Sequence, residues 1–224
     1  MSSRLKKIAN FVFAKSIYRV VEYNKPDLSD DTYILAPNHV SDADGPTIWG
    51  INENIRIMAK KECFERKIVG KILTAAGVVS VDRDKKNGTE IRDAIRYLSK
   101  DENCLFMMFP QGTISDINKN KLARIKTGTF YLSASTGKKI VPMFIEQPRP
   151  FKKARIVYAS REDFISVEDI YNEAGRVDRG KVEPYKQLWM DKVLMLQDMA
   201  IEKGKGKPIR ELKLKEKHRN NNEG

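Results

Sequence analysis

The sequence predicts an α/β fold, a mixed, largely parallel sheet flanked by helices. Short apolar runs punctuate the chain, and segments with helical patterning lie between them. One run, CLFMMFP at 104–110, is apolar almost without interruption. Strands alternating with helical patterns point to an α/β sheet with parallel members. A strand that is apolar at nearly every position suits the centre of such a sheet, where both faces are covered.

In chain order, the strands are TYILAP (32–37), IRIMAK (55–60), GVVSVD (77–82), CLFMMFP (104–110), KIVPMFIE (139–146) and ARIVYAS (154–160). Helices are expected at roughly 45–52, 64–76, 88–100 and 124–137. A late helix is expected in EPYKQLWMDKVLMLQDMAIEK (183–203), where Tyr185, Leu188, Trp189, Leu196 and Met199 recur near helical spacing. Pro184 suits its first turn. Residues 1–203 are expected to form a single domain. Beyond it, 204–224 is polar, basic and weakly patterned, as a mobile tail would be.

The first 25 residues read differently. The run IANFVFAKSIYRVV is broken by Lys15 and Arg19, so it is too short and too charged to cross a bilayer. Lys6, Lys7, Lys15 and Arg19 mixed with Phe11, Phe13 and Tyr18 suit an amphipathic segment at an anionic membrane surface. A helix packed on the core fits equally well, because the apolar residues do not share one clean face.

At 224 residues the chain can bury a substantial core, and 41% hydrophobic with 32% charged residues is a globular composition. The net charge of +12 favours an anionic partner: nucleic acid, a phosphorylated small molecule or an acidic membrane. Cys63 and Cys104 make no disulfide framework, and with no secretory signal a cytosolic compartment is expected. Cysteines and histidines show no metal-site spacing. No nucleic-acid module and no aromatic–basic interleaving of the base-stacking kind is present, so nucleic acid is not the expected partner.

In α/β sheets, ligands gather at the carboxyl ends of strands. Two strands here run into unusual polar sequence: TYILAP into NHVSDADG, and CLFMMFP into QGTISD. His39 and Asp44 in the first loop could be a base and its orienting carboxylate, because imidazole takes protons near neutrality. They could equally occupy a polar loop, and Asp42 competes as a partner. On a regular helix, residues five apart point about 140° away from each other, so the pair can meet only in an irregular turn. Pro37, Gly45 and Pro46 permit one. In the second loop, Gly112 lets backbone approach a ligand, and Thr113 and Ser115 offer hydroxyls. The turn is either an anion-binding nest or a plain strand ending.

The order of short blocks is more specific than any one of them. NHVSDAD, AKKECF, GVVSVDRD, FPQGTIS, KTGTF and IVPMFI follow one another over about residues 30–147. In that order they resemble the glycerolipid acyltransferase family, the group containing 1-acylglycerol-3-phosphate acyltransferases. The resemblance implies a glycerol-3-phosphate acyltransferase-like fold and a single acyltransferase domain over 1–203. It also implies O-acyl transfer from acyl-CoA or acyl-ACP to a lysophospholipid hydroxyl, giving phosphatidic acid without metal or other cofactor. The family's N-H-x-x-x-x-D motif maps onto Asn38, His39 and Asp44, which makes His39 the general base and Asp44 its orienter. The resemblance places Asn38, Lys60, Arg83, Gln111, Gly112, Thr113 and Lys126 around the substrate, with Arg83 the foremost candidate for the acceptor phosphate.

The third block departs from the family's F-P-E-G-T-R-S: Gln111 stands for Glu, and Ile114 for Arg. Loss of a charge-assisted phosphate contact could cost on the order of 1.5–3 kcal/mol of binding. Arg83, Lys60 or Arg124 could compensate, or the acceptor could lack a phosphate there, or activity toward lysophosphatidate could be weak. The implied location is the cytoplasmic face of the membrane, held peripherally by anionic lipid. A non-catalytic protein that binds anionic lipid is the reading from a different class.

Overall fold

The computed structural model describes residues 16–49, 51, 55–65, 70, 74, 78–81, 89–98, 104–117, 125–146, 149 and 151–204. Its centre is a seven-stranded sheet. The strands are β1 (Val21–Tyr23), β2 (Tyr33–Pro37), β3 (Ile55–Lys60), β4 (Val79–Val81), β5 (Leu105–Met107), β6 (Ile140–Ile145) and β7 (Arg155–Tyr158). Their order across the sheet is β1-β7-β6-β2-β5-β3-β4. Among the described strands of this sheet, β6 and β7 pair antiparallel and the other pairs are parallel.

The helices are α1 (Asp44–Trp49), α2 (Lys61–Glu65), α3 (Thr89–Leu98), α4 (Gly128–Thr136) and α5 (Arg179–Gly204). Each expected strand is present. The expected helix at 64–76 starts earlier, at Lys61, and Gly70 and Thr74 are also helical; most of its remainder lies outside the described residues. So does the tail from 205 onward.

Side-chain alternation explains the continuous apolar runs. Ile34 and Ala36 of β2 face one core with Phe106, Phe130, Trp189 and Leu196. Tyr33 and Leu35 face the other with Ile48, Leu105, Met107 and Met143. Both faces are dry, so neither alternate set can be polar.

Three sequence expectations change. Val21–Tyr23, inside the segment 1–25 read as amphipathic, is an edge strand paired with β7; residues 1–15 lie outside the described residues. Three residues give too little alternation to announce a strand. The late helix begins at Arg179, where Asp178 Oδ1 accepts from the Gly180 N–H at 2.8 Å, so Pro184 lies beyond the first turn. Having no N–H, Pro184 forfeits the bond to the Gly180 carbonyl. Finally, the buried stripe of α5 includes Val182, Trp189, Val193, Leu196 and Ala200, whereas Leu188 is 40% exposed. One residue is a rotation of about 100°, which carries Leu188 off that stripe.

Trp189 also donates its indole N–H to the Ala36 carbonyl at 2.9 Å, fixing α5 beneath the strand that leads into the first polar loop. At the sheet edge, the buried Tyr158 hydroxyl donates to Glu22 at 2.6 Å and joins β7 to β1. Burial, then the Glu22 charge, pushes this phenol well above its ordinary value of 10. A group whose folded value is raised keeps its stabilisation below the unfolded value and loses it as pH rises. Stability should therefore fall above about pH 10, and Tyr158→Phe should flatten that alkaline slope in denaturant titrations.

Candidate active site

The parallel pairing of β2 with β5 brings the two polar loops out side by side. β2 ends at Pro37, and the Asn38 amide extends its link to β6: Nδ2 donates to the Ile145 carbonyl at 3.0 Å, and Oδ1 accepts from the Ile145 N–H at 2.7 Å. The chain then turns sharply through His39–Ala43 and enters α1 at Asp44. The Asp44 N–H donates to the Ser41 carbonyl at 3.1 Å, closing the turn.

That turn makes the pair meet. His39 Nδ1 lies 2.9 Å from Asp44 Oδ2, which also accepts from the N–H groups of Val40 at 2.7 Å and Ser41 at 2.8 Å. The carboxylate is 0% exposed and the imidazole 19%. Asp44 Oδ1 is buried and has no hydrogen-bond partner among the described residues. Asp42, the competing carboxylate, is exposed. A carboxylate at Nδ1 selects the Nδ1–H tautomer, which leaves the Nε2 lone pair as the basic position.

The second loop grips His39 at three points. Phe109 stacks on the imidazole, with centroids 3.9 Å apart and planes 15° apart. Gln111 Oε1 accepts from the His39 N–H at 2.7 Å. The Ser115 N–H donates to the His39 carbonyl at 2.9 Å. The other end of the Gln111 amide donates to the Ser115 carbonyl at 3.0 Å and its hydroxyl at 2.8 Å. One neutral amide thus bonds a donor on one side and acceptors on the other.

These contacts bear on two residues expected near the substrate. Gln111 is 1% exposed and Asn38 is 0% exposed, and both direct their amides into the protein's own loops and strands. Their amide hydrogen bonds hold the site's loops and strands together. Gln111→Ala should cost about 1–3 kcal/mol, because it removes the acceptor of the part-buried His39 N–H and the donor to Ser115. A denaturant titration against wild type measures it.

Gly112 adopts φ +67°, and a Cβ there would come within 2.9 Å of Lys126 Cγ. Lys126 thus lies over the loop, is exposed, and donates its N–H to the Pro110 carbonyl at 2.8 Å. Thr113 is exposed. Lys60 ends β3, whose parallel pairing with β5 directs its carboxyl end to the same edge of the sheet. Arg83 and Arg124 lie outside the described residues. Ile114, at the position where the family carries Arg, is 42% exposed. It helps line an open groove of about 470 Å³ with Val40, Phe144, Ile145, Ala200 and Ile201.

Phe109 was missed as a site residue because CLFMMFP reads throughout as strand. Nothing in its spacing marks the last aromatic as an imidazole partner.

A largely parallel α/β sheet that holds an imidazole against a buried carboxylate at its strand ends is an arrangement able to support proton transfer. Comparison with known proteins places it more closely. The acyltransferase family model matches residues 19–146, and the chain belongs to that family. A chloroplastic 1-acyl-sn-glycerol-3-phosphate acyltransferase of Arabidopsis thaliana is 28% identical over 61% of this chain and 39% of its own length. The enzyme of that name from Bacillus subtilis is 34% identical over 41% of this chain and 46% of its own. The aligned region thus spans less than half the length of these relatives. The crystal structure of the 1-acyl-sn-glycerophosphate acyltransferase PlsC from Thermotoga maritima shares the fold, with a TM-score of 0.59 at 22% identity, covering 92% of this chain and 80% of that one.

Proposed function

We propose that this protein transfers a fatty acyl group from acyl-CoA or acyl-ACP to the free hydroxyl of 1-acylglycerol 3-phosphate, producing phosphatidic acid. The observation that carries the proposal is the His39–Asp44 contact of 2.9 Å at adjoining strand ends, in a chain of the acyltransferase family. His39 Nε2 takes the hydroxyl proton as the oxygen attacks the thioester carbonyl. A C–O bond forms and the carbonyl oxygen becomes an oxyanion. Collapse of the tetrahedral intermediate breaks the C–S bond, and the imidazolium returns its proton to the departing sulfur. Buried Asp44 holds the tautomer and stabilises the imidazolium. Lys126, Lys60 and Arg83 are the cations assigned to the acceptor phosphate. The reaction takes place at the cytoplasmic face of the membrane, with the protein bound peripherally.

One observation favours a second acceptor class. The family's Arg position holds a solvent-facing Ile114 beside a groove whose charged lining residues are the acidic Asp116 and Glu146, and Gln111 is turned inward. The same chemistry on a phosphate-free lysolipid fits these two residues. Purified protein should be given acyl-CoA or acyl-ACP with lysophosphatidate, glycerol 3-phosphate or phosphate-free lysolipids, and the products identified by mass spectrometry. Phosphatidate supports the first reading. Ester formed only on a phosphate-free acceptor supports the second, and no ester with any pair contradicts both.

A further inference from the structure

The sheet edge that carries His39 also carries the most exposed aromatic side chain among the described residues. β6 runs parallel to β2, so the turn after Ile145 leaves the sheet at the same edge as His39. β7 returns antiparallel from that edge, and β1 starts there beside it. The β6–β7 turn presents Phe151 at 73% exposure. Arg149, Lys152 and Lys153 on the turn are exposed, as is Arg19 on the adjoining segment before β1. None of these four cations makes an ion pair with another described residue.

The described residues of the turn are tied to their neighbours. At its base, Arg155 pairs with Glu146 at 2.8 Å through both carboxylate oxygens. The Phe151 N–H donates to the Ile17 carbonyl at 2.6 Å, and the Ala154 N–H to the Tyr18 carbonyl at 3.1 Å. Phe151 itself has φ +61°. This left-handed conformation is unfavourable for a bulky residue. The phenyl ring, left in water at 73% exposure, buries little apolar surface for the fold itself. Of the four large apolar side chains exposed among the described residues, Ile114 and Ile201 line the groove at this same edge, and only Leu188 stands apart.

We infer that the β6–β7 turn is a docking element for an anionic lipid bilayer, with Phe151 inserting between headgroups while Arg19, Arg149, Lys152 and Lys153 meet their charge. Aromatic rings lodge at the headgroup level of a bilayer, and nearby cations add attraction to anionic lipid. The assignment deepens the peripheral location proposed above by naming the surface. It turns the His39 edge toward the bilayer, where a lipid acceptor resides.

The test is flotation of the full-length protein with vesicles of phosphatidylcholine alone or mixed with phosphatidylglycerol. Two variants accompany wild type: Phe151→Asn, whose new side chain tolerates a left-handed backbone, and the double variant Lys152→Gln/Lys153→Gln. Wild type should bind only the anionic vesicles. Removal of each lysine should weaken binding about fivefold, and removal of the phenyl about tenfold. Unchanged melting temperatures would show that both variants fold. Wild-type binding that both folded variants retain in full would overturn the assignment. So would equal binding to both vesicle types, no vesicle binding, or binding to duplex DNA that alone responds to the variants. Flotation requires no turnover, so it stands or falls separately from the acyl-transfer reading.

Discussion

His39→Ala should lower kcat by about three orders of magnitude or more while leaving the protein folded, the loss associated with removing a positioned general base. Thiol release from the acyl thioester measures the rate. The variant deletes the Nε2 lone pair, the bond to Asp44 and the stack on Phe109. It keeps the backbone bonds that close the loop, because Gln111 and Ser115 hold His39 through its N–H and carbonyl. Asp44 still accepts from Val40 and Ser41. A loss confined to turnover, with the melting temperature nearly unchanged, is therefore the expected signature.

Asp44→Asn should reduce kcat by about a hundredfold to ten-thousandfold. The asparagine oxygen can occupy the place of Oδ2 and accept from His39, Val40 and Ser41, so the turn survives. The negative charge does not survive, and with it goes the stabilisation of the imidazolium formed as the hydroxyl loses its proton. Because the Asp44 carboxylate is fully buried, that lost attraction is large. KM for the acceptor should change little, since Asp44 is 0% exposed and acts through His39. Steady-state kinetics that raised KM with kcat intact would place Asp44 in binding instead.

The fold was readable in the sequence because both faces of the sheet are covered. Every residue of β2, β5 and β6 is buried, and such strands write continuous apolar runs. β1 was not readable: three half-buried residues at an edge carry no pattern. The two loops stood out because each follows an apolar run and is rich in polar residues. Their adjacency did not stand out, because it depends on β5 pairing with β2 across about 70 residues of sequence separation, as in the Gln111–His39 bond. For the same reason the parts of Asn38, Phe109 and Gln111 could not be read. The family resemblance places Asn38 and Gln111 near the substrate and carries no information on where their amides point. Only the register shows that Ile145 and His39 already satisfy them. The His39–Asp44 partnership was half legible: the spacing excluded a helix face and required a turn, and Pro37 and Gly45 allowed one.

The central claim is that the His39 loop moves an acyl group. The most direct measurement is the mass of the lipid product formed by wild type and His39→Ala side by side, with lysophosphatidate and acyl-CoA supplied to both. Wild type should yield phosphatidate, and the variant none above background. Equal amounts of phosphatidate from the two proteins would contradict it.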